Sequence, residues 1–213
     1  MSRGGRVVER IRVSIALWLV SSLTAGVVQA EEPVNFPDEV LRAAVENKLE
    51  VYEPTPQDML NLTSLKHVMS FKSQDEGITD LSGLEFAVNL RDLNLRLNKI
   101  VDLAPLAGLT YLQTLNLSQN EIYDLLPLAA LSDLVDLNIH ANHIDDISVL
   151  AGLTGLRDLD LHTNRIFDLA PLSDLANLQT LIALRKPNHR YFCLGPALQF
   201  AVSGSTLERD SAR

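Results

Sequence analysis

The sequence predicts an α/β solenoid, with a curved parallel β-sheet on its concave side, 3₁₀ and irregular turns on its convex side, and a helical cap at its N-terminal end. Three observations predict it. Isoleucines recur at Ile78, Ile100, Ile122, Ile144 and Ile166, each 22 residues after the last. Asparagines at Asn98, Asn120, Asn142 and Asn164 keep the same step. In the same frame stand Leu93 and Leu95, Leu115 and Leu117, Leu137 and Ile139, Leu159 and Leu161, so the unit reads L-x-L-x-x-N-x-I. A strict period of this length marks stacked supersecondary units, each burying the apolar face of its neighbour.

Residues 1–30 read as a signal peptide. Arg3, Arg6, Arg10 and Arg12 make a basic start, and Val13 to Val28 is an apolar stretch shorter than the roughly 20 residues that span a bilayer. Val28-Gln29-Ala30 then offers side chains suited to a signal peptidase, with cleavage expected after Ala30. Its removal takes away four arginines and one glutamate, leaving 14 basic against 26 acidic side chains and a net charge of −12. Nucleic acid is thereby excluded as a partner, because phosphate binding needs a basic stripe. No membrane span is expected in the mature chain, and the location is secreted, periplasmic or cell surface. Cys193 is the only cysteine, so no internal disulfide can seal the solenoid; it is read as a spectator thiol.

Residues 33–65 are expected to form the cap. From Asp38 to Leu49, apolar residues at 40, 41, 44, 45 and 49 share one face at the helical period, and acids lie at the start where the helix dipole favours them. A second short helix starts at Thr55-Pro56-Gln57-Asp58: Thr55 can cap it, Pro56 suits its first turn, and Asp58 stands at the reciprocal capping position.

The repeats occupy residues 66–184. Leu62-Thr63-Ser64-Leu65 is read as a degenerate first unit resembling Leu109-Thr110-Tyr111-Leu112, with Leu62 matching Ala87 and three extra residues bulging within Lys72 to Glu76. In each regular unit the x-L-x-L-x segment is expected as a strand with leucines inward and x residues outward. The Asn that follows turns the chain and satisfies backbone groups there, forming a ladder down the stack. The remaining half, as in Asp102-Leu103-Ala104-Pro105-Leu106, is short and Pro-bearing and suits 3₁₀ turns. After Leu184 the frame decays: Lys186 stands where Asn is due and Asn188 where Ile is due, while Tyr191, Leu194, Ala197 and Phe200 keep core positions. Residues 185–213 are therefore a degenerate last repeat or C-terminal cap with a disordered tail.

Asp80-Leu81, Asp102-Leu103, Asp124-Leu125 and Asp168-Leu169, with Pro105-Leu106, Pro127-Leu128 and Pro171-Leu172, give the unit a pattern that resembles the internalin-type subclass of bacterial leucine-rich repeats. The same unit length occurs in phosphatase-regulating Sds22-like proteins. Asn35-Phe36-Pro37-Asp38 and Ile78 to Glu85 look like the cap that precedes such repeats in exported bacterial proteins. The resemblance covers about residues 33 to 184. It implies a leucine-rich-repeat solenoid that binds another macromolecule through its concave face. No immunoglobulin-like domain or wall-anchoring signal is visible after the repeats, so adhesion and host-cell entry are not carried over.

The outward positions form columns down the concave face. One is Asp92, Thr114, Asp136, Asp158 and Thr180; the next is Asn94, Asn116, Asn138, Asp160 and Ile182. A third is Arg96, Ser118, His140, His162 and Leu184, and a fourth is Leu97, Gln119, Ala141, Thr163 and Arg185. The partner-binding residues are taken to be Asp92, Asn94, Arg96, Asn116, Asp136, Asn138, His140, Asp158, Asp160 and His162. His140 and His162 should stack one strand apart beside carboxylates, which are ligand types that suit zinc or copper. They are read as part of a solvated polar face, with no metal and no cofactor assigned, and the acidic neighbours are expected to raise both histidine pKa values. Tyr123 and Phe167, each one place after a repeat isoleucine, are read as cover for the leucine core. Ile182 and Leu184 face the wrong way for apolar residues and are expected to lie under the tail after Pro187.

No nucleophile elbow, P-loop, HExxH or dinucleotide fingerprint is present, and an open arc offers no water-excluding pocket. The chain is therefore expected to be a non-catalytic, secreted or cell-surface protein whose partner is another protein or surface macromolecule. The alternatives are an intracellular Sds22-like phosphatase regulatory subunit and a structural fragment of a larger surface protein. They part at the N-terminal segment, which the intracellular reading requires to be something other than a signal.

Overall fold

The computed structural model describes residues 31–67 and 77–183. The signal segment, the bulge at Lys72 to Glu76, Leu184, Lys186, Cys193 and the tail lie outside the described residues.

The cap forms as its spacing predicts. Helix α1 (Glu39–Leu49) starts at Asp38, whose Oδ1 accepts hydrogen bonds from the backbone N–H groups of Val40 and Leu41 at 3.0 and 2.9 Å. Its Leu41 and Val45 are buried, while Val40, Ala44 and Leu49 pack against the core from partly exposed positions. Helix α2 (Pro56–Met59) carries the reciprocal capping box: the Thr55 hydroxyl accepts from Asp58 N–H, and an Asp58 carboxylate oxygen accepts from Thr55 N–H at 2.9 Å. The other oxygen of Asp38 accepts from the backbone of Thr79 at 2.8 Å and of Asp80 at 3.3 Å. One carboxylate thus starts a helix and fastens the cap to the first turn of the solenoid. Phe36 seals the same junction: its ring lies where a Cβ on Gly83 would come within 2.5 Å, and Gly83 has φ 101°, so only glycine suits that position.

Six parallel strands follow in chain order: β1 (Ser64–Lys66), β2 (Asp92–Asn94), β3 (Thr114–Asn116), β4 (Asp136–Asn138), β5 (Asp158–Asp160) and β6 (Thr180–Ile182). Their central leucines, Leu65, Leu93, Leu115, Leu137, Leu159 and Leu181, are paired in register and buried. This register corrects the expected alignment of the first unit. Leu65 pairs with Leu93, 28 residues away, so Leu62 matches Leu90 rather than Ala87 and the insertion is six residues, not three. Met59, Leu62 and Leu65 repeat every third residue, as do Ala87, Leu90 and Leu93, and a slide by three therefore preserves the apolar match. Only the backbone bonds, such as Arg91 N–H to Thr63 C=O at 2.9 Å, discriminate the two alignments.

On the opposite side the chain runs through 3₁₀ turns at Leu84–Phe86, Ala104–Leu106, Leu126–Ala130, Ser148–Gly152 and Ala170–Leu172. Each is led by an aspartate, four residues upstream in the first and two in the others: Asp80, Asp102, Asp124, Asp146 and Asp168 each accept from the backbone N–H two places on, at 2.8 Å. These aspartates are local turn formers, which explains the period they keep.

The asparagine ladder is present. Asn120 Oδ1 accepts from Ile100 N–H at 3.0 Å, and its Nδ2 donates to Leu95 C=O at 3.0 Å and to Leu117 C=O at 2.9 Å. Asn142 and Asn164 repeat this arrangement one and two units on. Among the described residues no buried side-chain nitrogen or oxygen lacks a partner. The sharp turn itself falls one residue before each asparagine. Leu97, Gln119, Ala141 and Thr163 have φ of 61°, 60°, 52° and 57°, which folds the chain back and leaves the asparagine amide aimed at the backbone of its neighbour. The described residues of the fourth column are thus turn residues beyond the sheet.

Candidate functional site: the outer face of the sheet

The first two columns lie on the strands, as expected, and β1 adds Ser64 and Lys66 to them. Side chains of the second column are partly occupied: Oδ1 of Asn94, Asn116, Asn138 and Asp160 accepts from the backbone N–H two residues on, at 3.0 to 3.2 Å. They present the rest of the amide or carboxylate outward. In the third column Arg96 Nε donates to Gln119 Oε1 at 2.8 Å. Ser118 is only 1% exposed, a short side chain between the longer Arg96 and His140, and bonds Asn116 Oδ1 at 2.7 Å.

Asp136 and Asp158 are directly paired across β4 and β5. Partial burial first, then a hydrogen bond shared with Asp158 and that neighbour's charge, raises the Asp136 carboxyl above its ordinary pKa. Like charges directly opposite each other on a sheet destabilise it.

His140 and His162 stack face to face, with ring centroids 4.3 Å apart and planes 5° from parallel. His162 Nδ1 lies 2.5 Å from Asp160 Oδ1, and His140 Nδ1 lies 3.1 Å from Asn138 Oδ1. The expected rise in histidine pKa is overturned at His140, where the pKa is lowered. Burial is the main cause, followed by the charges of His162 and Arg96, against an opposing pull from Asp160.

Two depressions lie along this face. The larger, about 660 Å³, is formed where α1 overhangs the first strands, and Asn47, Lys48, Lys66 and His67 line it beside Asp92 and Asn94. The smaller, about 320 Å³, contains Asp136, Asp158 and Asp160. The face therefore has a basic first end and an acidic middle. Lys48 and Lys66 escaped the sequence reading because Lys48 belongs to the cap helix and Lys66 to the unit whose register was misjudged. Tyr123 and Phe167 are not buried over the core: they are 60% and 72% exposed, and Leu126 is 69% exposed. Where the other units carry Ala104, Ser148 or Ala170, Leu126 is the outlier that could have revealed this edge.

A sheet of short parallel strands, 3₁₀ turns led by aspartates, an asparagine ladder and an N-terminal helical cap together define a leucine-rich-repeat protein. The chain belongs to the internalin-type family of these proteins. It is 32% identical to internalin C2 of Listeria monocytogenes, covering 70% of this chain and 74% of that one with a TM-score of 0.51. In fold it is similar to the internalin InlF of the same organism, at 24% identity over 74% of this chain with a TM-score of 0.60. It is likewise similar to the functional domain of InlJ, at 24% identity over 68% of this chain with a TM-score of 0.54. The chain spans 54% of the InlF chain and 36% of the InlJ chain. No protein-family model matches it, and no curated protein does. No described helix is long and apolar enough to cross a membrane.

Proposed function

We propose that the chain is an exported, non-catalytic interaction protein that holds another macromolecule on the concave face of its sheet, with the carboxylates of Asp136, Asp158 and Asp160 facing basic groups of the partner. The observation that carries this reading is the Asp136–Asp158 pair. Two carboxylates opposed on neighbouring strands work against folding, and a cationic partner placed between them converts that repulsion into binding energy. The basic end at Lys48 and Lys66 adds a second charge of opposite sign, which orients a partner along the face. Asp92, Asn94, Arg96, Asn116 and Asn138 extend the contact between these ends.

The test is capture of binding partners from extracellular or envelope material by the chain and by a variant carrying Asp136→Asn, Asp158→Asn and Asp160→Asn together. Capture is expected to fall at least about 10-fold, while Asp133→Asn, in an exposed turn elsewhere, leaves it unchanged. Equal capture by the triple variant moves the site to the convex side or the edge. The mass of the chain recovered from its source tests export: a start at Glu31 supports it, and an intact Met1 in the cytosol overturns it.

A further inference from the structure

We infer that His140 and His162 form a binding site for a borderline divalent transition ion, of which Zn²⁺ is the type, with Asp160 and Asn138 holding the two imidazoles in the ligating tautomer. The inference starts from the partners of the ring nitrogens. Asn138 Oδ1 accepts from the backbone N–H of His140, which assigns that atom as oxygen; the His140 Nδ1 it also meets must therefore carry the proton. Asp160 Oδ1 accepts from the backbone of His162 and from its Nδ1 in the same way. In neutral rings both Nε2 atoms are then left with a lone pair. A ligating histidine commonly gives its other N–H to a carboxylate or carbonyl oxygen, which orients the ring and raises its basicity. Both histidines here have that support, each from the residue two places earlier in its own repeat.

The stacking brings the two ligands to one place. The rings are 4.3 Å apart and nearly parallel, and with each Nδ1 turned to the residue two places earlier, both Nε2 atoms are left on the side away from those contacts. One ligand atom each from His140, Asp160 and His162 lies within 4.8 Å of the others. Ligands of a tetrahedral zinc with bonds of about 2.0–2.1 Å stand about 3.3 Å apart with their lone pairs converging on the ion, so the two half-exposed rings must swing out of parallel and give up the stack to close the site. The set of two imidazoles with an adjacent carboxylate suits zinc, copper or nickel, and the oxygen-poor count disfavours calcium and magnesium. Water completes the coordination on the open side. A proton is the competing occupant of the two lone pairs, but charging both rings would set two cations face to face at the stacking distance.

The experiment uses the full, tag-free chain titrated with ZnCl₂ at pH 7.5, followed by calorimetry and by ¹⁵N spectra of the imidazoles. One equivalent is expected to bind, shifting the Nε2 signals of His140 and His162 and leaving those of His67 and His143 in place. His140→Gln and His162→Gln are each expected to weaken binding at least about 10-fold, Asp160→Asn by about 10- to 100-fold, and His143→Gln not at all. Unmoved His140 and His162 signals, undiminished affinity in both glutamine variants, or no saturation below about 1 mM Zn²⁺ overturns the site. The spectra of the unsubstituted chain decide the matter even where a variant misfolds. Because the probe is the metal alone, the result is separate from whether the face binds a macromolecule.

Discussion

Two aspartates show how one side chain can serve opposite ends. Burial alone would raise the pKa of Asp38, but hydrogen bonds from the backbones of Thr79, Leu41 and Asp80 and from the Thr79 hydroxyl outweigh it, and the pKa is lowered. A lowered folded-state pKa stabilises above the ordinary carboxylate range, and that contribution is lost as pH falls through the lowered value. Asp38→Asn is expected to cost about 1–2 kcal/mol at pH 7. Urea unfolding should show the gap to the unsubstituted chain closing below about pH 4. Asp136 runs the other way. Its raised pKa penalises the fold once the carboxyl ionises, so Asp136→Asn is expected to stabilise by about 0.2–1 kcal/mol at pH 7. The gain should vanish in acid, where both side chains are neutral; a loss of stability at pH 7 would refute the reading.

At the scale of the repeat, the asparagine ladder outweighs any single strand. The strands are three residues long, too short to hold a register by themselves, and each asparagine ties the carbonyls of two neighbouring units to one backbone N–H. Asn142→Ala strands the N–H of Ile122 in a buried turn and leaves the carbonyls of Leu117 and Ile139 with one amide each, from Asn120 and Asn164. The expected cost is about 1–3 kcal/mol, or a melting temperature lower by roughly 2–12 °C, read by calorimetry. A loss under about 1 kcal/mol would mean that water replaces the amide. The residue before it, Ala141, holds its left-handed backbone with a methyl side chain that cannot hydrogen-bond, so the strain of the turn is met by the ladder that follows.

At the scale of the whole molecule, stacking turns a one-dimensional period into a surface. From Leu93 onward the inward leucines, the ladder, the 3₁₀ turns and both cap helices were legible in the chain, because each depends on neighbours within a few residues or on a spacing repeated several times. The candidate site was legible as columns, and Asp136, Asp158, Asp160, His140 and His162 do come together. Less could be read of what those columns do. The half-structural second column, the buried Ser118 and the lowered His140 pKa depend on side-chain neighbours that a column of letters does not rank by size or depth.

The sequence by itself determined a solenoid of 22-residue units with leucines inside, asparagines at the turns and a capped helical lead-in, since periodicity and local hydrogen bonding suffice for these. The tertiary structure alone decided the pairing of Leu65 with Leu93, the second role of Asp38 at Thr79, the approach of Lys48 to the sheet and the tautomer-setting partners of the stacked histidines. Most of these join groups across an irregular insertion or between a helix and a strand, where no period constrains the distance and only the approach of particular backbone and side-chain atoms selects one arrangement.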